Sequence, residues 1–272
     1  MNKLLKLYRL LLRLYYKLQF NRFYEINTIK HSTFHFFVSS THEHMRFKTF
    51  NYKEPEMLDW LSECSHKYGS DNFTFYDIGA NVGIYSLFLA SINSKCSIFS
   101  YEPEATNFAS FNKNISINGF KNIKPLPIAL SSSDGFFDLH VSIQEAGAGA
   151  ASLGSDYKYT NNENLIVHKQ PVTSARLDSI VKNNYFKFPN FIKIDVDGHE
   201  HDLFNGAQEV FSDPRLISMI IEYDYNNLSE KMFFIDKICS FGFRLVLESN
   251  WVDKSTLAGV NIQNFIFDRG QQ

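Results

Sequence analysis

The stretch from Phe73 to Glu104 constrains this chain more than any other. Phe73 to Ile78 is dense in aromatic and β-branched residues, the composition of a buried strand. Gly79 and Gly83 bracket Ala80-Asn81-Val82. Glycine admits positive φ and close approach of a ligand to the backbone, and Asn is the non-glycine residue best suited to a left-handed turn. Val82 to Ile92 reads as a helix with almost no charge, covered on most sides. A second strand, Cys96 to Tyr101, carries Glu102 at its carboxyl end. Strand, glycine loop, helix and strand in this order build a doubly wound sheet, where ligands bind at the carboxyl ends of the strands.

The loop reads G-x-N-x-G, not the G-x-G-x-x-G of dinucleotide sites. Asp77, just ahead of it, would repel a pyrophosphate and suits a positively charged amino group. Glu102 suits the two hydroxyls of a ribose. A cofactor joining a ribose, an ammonium and a sulfonium is S-adenosylmethionine, and the residues point to it. A βαβ turn without a ligand and an NAD-type site are the alternatives that the loop by itself leaves open.

The chain has 272 residues, 44% of them hydrophobic, with 27 Phe, enough for one large domain or a domain with an extension. A net charge of −2 gives no overall pull toward nucleic acid, so none is expected as a partner. Cys64, Cys96 and Cys239 show neither metal-ligand spacing nor a disulfide framework. They suit a reducing, cytoplasmic compartment, and no metal is expected.

Residues 1–24 differ from this average: they contain Lys3, Lys6, Arg9, Arg13, Lys17 and Arg22 and no acid. On a helix the first five fall within an arc of roughly 120°, with leucines and tyrosines over most of the rest. The apolar runs fall far short of the ~20 residues that span a bilayer, and no signal-peptide pattern is present. Two readings stand: a helix lying peripherally on the inner face of an anionic membrane, or one packing on its own domain or on a second subunit of a homo-oligomer. Co-sedimentation with anionic liposomes, with and without residues 1–24, separates them. Binding lost on truncation supports the membrane reading; equal binding, or none in either case, contradicts it.

Three regions are expected: the basic helix 1–24, an extension 25–70, and a catalytic domain 71–272. In the extension, Thr33 to Ser39 is strand-like and Glu54 to Tyr68 helical. In the domain, strands are expected at 73–78, 96–101, 123–130, 191–195, 216–222, 244–247 and 262–267, and helices at 82–92, 104–117, 199–211 and 229–241. Asp134-Gly135 reads as a hairpin turn joining 123–130 to 136–143. The Gly-, Ala- and Ser-rich stretch 144–164 is a long loop, either a lid over an acceptor or a plain excursion. This alternation argues a parallel α/β sheet.

A second cluster, Asp195, Asp197, His199 and Glu200, follows strand 191–195. Acids and a histidine at a strand end can position an acceptor hydroxyl and remove its proton. His199 is the candidate base, as a group neutral near physiological pH, and Asp195 the positioner. Glu222, ending strand 216–222, overlooks the same crevice. Asp197 and Glu200 also suit plain helix capping.

Together these pieces resemble the FkbM family of S-adenosylmethionine-dependent methyltransferases. The resemblance rests on Tyr76 to Gly83, Tyr101 to Glu104, Leu130 to Gly135, Ala175 to Ile180, Ile192 to Glu200 and Ile221-Glu222, in the family's order. It implies the class I methyltransferase fold: a Rossmann-like three-layer α/β sandwich whose seven-stranded, mostly parallel sheet has an antiparallel last strand. It places Asp77, Gly79, Asn81 and Gly83 along the methionine part of the cofactor and Glu102 at the ribose. Pro103, Ala129 and Ser131 fall near the adenine, and Asp195 near the sulfonium and acceptor. It further implies O-methylation of a hydroxyl on a sugar, glycan or related natural product, a polysaccharide-modifying role. A catalytically silent module with this fold, or an NAD-dependent oxidoreductase, are the rival readings.

Overall fold

The computed structural model describes residues 21–68, 72–149, 151–153, 166–183, 185–249 and 261–270. The expectations for the helix within 1–24, apart from its last residues, and for 154–164 of the long loop lie outside the described residues. In chain order, β1 (Arg22–Asn27) and β2 (Thr33–Val38) form an antiparallel pair, followed by α1 (Thr41–Thr49) and α2 (Pro55–Tyr68). Next come β3 (Thr74–Ile78), α3 (Ile84–Ile92), β4 (Ser97–Tyr101), α4 (Ala105–Asn118) and β5 (Ile123–Leu126). A side sheet holds β6 (Ile128–Leu130), β7 (Gly135–Val141), β8 (Ala151–Leu153) and β9 (His168–Ala175). The chain continues with α5 (Leu177–Val181), β10 (Phe191–Ile194), α6 (Glu200–Asn205) and α7 (Gln208–Ser212). It closes with β11 (Ser218–Tyr225), α8 (Leu228–Cys239), β12 (Arg244–Glu248) and β13 (Asn261–Asp268).

The central sheet has seven strands in the order β12-β13-β11-β10-β3-β4-β5. Strands β11, β10, β3, β4 and β5 run parallel, and β13 lies antiparallel to both of its neighbours. The expected architecture, including the antiparallel last strand, is therefore present.

Period-two alternation splits each central strand between two cores. Phe75 and Ile98 face Leu58, Trp60, Leu87 and Phe88, under α2 and α3. Tyr76, Ile78, Phe99 and Tyr101 face Leu177, Leu203, Phe204 and Phe234, under the C-terminal helices. The same alternation turns Asp77 toward α3, where its Oδ2 accepts a 2.6 Å hydrogen bond from Ser86.

Three local expectations are corrected. The single strand 123–130 is two, β5 and β6, in different sheets. Pro127 separates them, and a proline has no N–H to give a ladder. The hairpin at Asp134-Gly135 does not pair its flanking strands: β9 lies between them, parallel to β6 and antiparallel to β7. Helix 199–211 is broken into α6 and α7 at Gly206, where a Cβ would lie 2.0 Å from the Ser131 carbonyl oxygen.

The switch between β3 and α3 depends on close backbone contact. Gly79 has φ +74, and a Cβ there would lie 1.7 Å from the Asp195 carbonyl oxygen at the end of β10. Gly79→Ala is expected to lower the thermal midpoint by roughly 5–10 °C, through left-handed strain and the backbone clash together. Thermal unfolding followed by circular dichroism reads this; an unchanged midpoint contradicts the packing described.

Candidate active site

The site is organised around a lysine that the sequence reading did not select. Lys193, on β10, stands in register with Asp77 on the adjacent β3. Its side chain is buried, and its Nζ lies 3.3 Å from Asp77 Oδ1 and 3.3 Å from Asp195 Oδ2. It also donates to the Gly79 carbonyl oxygen at 3.2 Å. Burial alone would lower its pKa, but Asp195 and Asp77 outweigh this and hold it above the usual lysine range. A buried charge of this kind survives because it is paired and hydrogen-bonded.

The loop beyond β3 is held from the neighbouring strand. Gly79 N–H and Ala80 N–H both donate to the Tyr101 carbonyl oxygen at 3.0 Å. Asn81 takes φ +53, as its sequence position suggests, and its N–H donates to Glu102 Oε2 at 2.7 Å. Glu102 Oε1 accepts from Glu104 N–H at 2.8 Å. Glu102 is thus fixed by two backbone donors at the mouth of β4, with its carboxylate on the wall of a cavity of about 280 Å³. Burial raises its pKa to about 7 against those two donors, which lower it.

That cavity runs from an apolar end to an acidic one. Pro103, Ile128, Ala129, Leu130 and Leu139 line the first. Asp195, Asp197, Glu222 and Glu54 line the second. Among the calls from sequence, Gly79, Asn81, Glu102, Pro103, Ala129, Asp195, His199 and Glu222 reach its wall. Asp77, Gly83 and Ser131 lie behind it. Asp77 is fully buried on Lys193 and Ser86, Gly83 packs against Phe111, and Ser131 N–H donates to the Ala175 carbonyl. The structure therefore gives Asp77 contact with Lys193 where sequence reading expects contact with the cofactor.

The acids do not titrate alike. Burial pushes Asp195 up, but Lys193, then Arg46 and Lys53, hold it below the usual carboxylate range. Asp197 and Glu222 are raised well above that range, by burial first and by the charge on Asp195 second. Asp195, Asp197 and Glu222 each present one oxygen within 4.8 Å of the others, a spacing that a hard divalent cation accepts.

One wall comes from the long loop. Ala148, Gly149, Ala151 and Leu153 line the cavity. Asn81 Nδ2 and Asn107 Nδ2 donate to the Ala148 carbonyl at 2.9 and 3.2 Å, and Asn107 Oδ1 accepts from Gly147 N–H at 2.8 Å. His199 belongs to this wall: its Nε2 accepts from Leu153 N–H at 3.2 Å, and its Nδ1 lies 3.6 Å from Asp202 Oδ2.

Arg46 and Lys53 also line the cavity and were not selected from sequence. Arg46 stands on α1, a helix that Ser40-Thr-His-Glu43 announces as a capping box: Ser40 accepts from Glu43 N–H, and Glu43 accepts from Ser40 N–H.

The family profile described as "Methyltransferase FkbM domain" matches residues 77–245. "Hexuronic acid methyltransferase AglP" from Haloferax volcanii is 25% identical over 131 residues, 48% of this chain and 48% of that protein. "Methyltransferase 1" from Beauveria bassiana is 23% identical over 149 residues, 51% of this chain and 60% of that protein. The chain thus spans about half the length of the curated relatives it matches. A solved SAM-dependent methyltransferase from Agrobacterium tumefaciens shares the fold, with a TM-score of 0.50 and 8% identity, over 92% of this chain and 70% of that one.

The raised value of Glu102 has a stability consequence. Its folded pKa of about 7 lies above the ordinary 4.5. The stability it contributes is therefore complete below pH ~4.5 and lost as pH rises through 7. Urea denaturation from pH 5 to 8 should show wild type losing stability relative to Glu102→Gln. A difference that stays constant over this range contradicts the assignment.

Proposed function

This chain belongs to the FkbM methyltransferase family, and on that premise we propose that it moves a methyl group from S-adenosylmethionine to a hydroxyl of a sugar, glycan or related natural product. The observation that carries the reading is a single cavity at the carboxyl ends of β3, β4, β10 and β11 with three distinct environments. Glu102 suits a ribose diol, the Pro103–Ala129–Leu139 slot suits an adenine, and Gly79 with Asn81 offers backbone to the methionine part. Bound there, the cofactor supplies an electrophilic methyl on a sulfonium. Lys193 and Asp77 fix the floor beneath it.

The acid end serves the acceptor. Asp195 stays ionised beside Lys193 and orients a hydroxyl by accepting its hydrogen bond. Glu222 and Asp197, held above the usual carboxylate range, are better matched than an ordinary carboxylate to take that hydroxyl's proton near neutral pH. His199 holds the Leu153 wall in place rather than serving as base. The acids disfavour a polyphosphate backbone, and a saccharide acceptor agrees with the hexuronic acid named for the archaeal relative. Among the described residues no helix is long and apolar enough to cross a membrane. The cytoplasmic setting we propose rests on the cysteines, of which Cys64 and Cys96 are buried thiols.

Methyl transfer to a saccharide panel, read by mass spectrometry, tests the reading. Product expected from at least one acceptor gives kinetics in which Glu222→Gln loses about 10²-fold or more in kcat, the scale of acid–base catalysis. His199→Ala should retain kcat within about tenfold while raising KM. The reverse pattern returns the role of base to His199, and cofactor binding without any product leaves a silent module.

A further inference from the structure

The acid end of the cavity contains two cations, Arg46 and Lys53, which help hold Asp195 ionised but to which the chemistry above gives no contact with the acceptor. Arg46 reaches in from α1 with its Nε donating to the Gly147 carbonyl at 2.8 Å. That bond fixes the guanidinium by one edge. Nη1 and Nη2 have no hydrogen bond or ion pair within the structure's described residues. Arg46 and Asp197 flank Gly149: a Cβ there would lie 3.9 Å from Arg46 Nη2 and 3.4 Å from Asp197 Oδ2. Lys53 lines the same cavity, its Nζ 2.8 Å from Glu54 Oε1, with its side chain still 47% exposed. Glu54 itself is shared, because Tyr85 also donates to it.

A guanidinium held by Nε presents a planar pair of donors, the geometry that carboxylates match two-for-two. We propose that Arg46, with Lys53, forms an anion subsite, and that the acceptor is an acidic saccharide whose carboxylate sits there while a ring hydroxyl faces Asp195 and Glu222. The inference deepens the saccharide reading of this site and rests on it. Carboxylate is favoured over phosphate by charge. A dianion would bring more repulsion from Glu54, Asp195, Asp197 and Glu222, all on the same cavity wall, than a monoanion does. The subsite also gives specificity. A neutral hexose leaves the two Nη groups of the partly buried guanidinium without a hydrogen-bond acceptor from the ligand, and unmet buried donors weigh against the wrong substrate.

The experiment is saturation-transfer NMR on the full chain, with and without S-adenosylhomocysteine. Glucuronate, galacturonate and mannuronate are each compared with the parent hexose and its 6-phosphate. At least one hexuronate should bind on the order of tenfold tighter than its hexose, as a charge-assisted pair implies, and tighter than the phosphate. Arg46→Gln should erase the preference, and Arg46→Lys should keep part of it. Equal binding of hexuronate and hexose, preference for the phosphate, no saccharide binding, or preference intact in Arg46→Gln overturns the subsite. Calorimetry with S-adenosylmethionine on the same sample reads the donor separately. Its failure removes the methyl-transfer reading, whereas a lost uronate preference with the donor still bound removes only the subsite.

Discussion

The active end of this fold depends on one buried charge shared between two strands. Lys193 rises from β10 beside Asp77 of β3, and its ammonium also holds Asp195 and the Gly79 carbonyl. Without the lysine, two carboxylates would stand close together in a poorly solvated crevice. Removing one partner from a buried pair costs on the order of 3–5 kcal/mol, because the remaining charge is left uncompensated. The bridge ties the glycine loop to the end of β10, so the Glu102 side and the acid end of the cavity share one anchor.

The differences in acidity follow from this arrangement. Lys193, with Arg46 and Lys53, holds Asp195 below the usual carboxylate range, while burial first and the charge on Asp195 second raise Asp197 and Glu222 above it. Three carboxylates of similar intrinsic strength thus divide into one whose pKa is lowered and two whose pKa values are raised. Unequal burial and unequal pairing with the nearby cations separate the acids, the principle by which environments separate paired carboxylates.

Much of this was legible in sequence because local rules and tertiary structure agree there. The G-x-N-x-G loop demands left-handed backbone at Gly79, Asn81 and Gly83, and all three have positive φ. Glu102 at a strand end is where a doubly wound sheet places a ligand, and the structure puts it on the cavity wall. Other features needed long-range information. Lys193 reads as one polar residue in an apolar strand, and only the β3–β10 register reveals its partners. Asp77 alternates to the covered face, so its proximity to the loop did not mean exposure to the cavity. Arg46 arrives through the tertiary placement of α1, a helix whose Ser40–Glu43 capping box was a sequence signal left unread. The hairpin at Asp134-Gly135 failed because turn chemistry sets a reversal but not which strand inserts beside it.

The central claim is that the G-x-N-x-G loop and Glu102 form a site for S-adenosylmethionine rather than for a dinucleotide. Isothermal titration of the full chain with S-adenosylmethionine and, separately, with NAD is its most direct test. Saturable one-to-one binding of S-adenosylmethionine, weakened on the order of tenfold or more by Glu102→Ala, with no heat from NAD, is the predicted result. Binding of NAD in preference, or S-adenosylmethionine affinity that ignores Glu102→Ala, would contradict the account.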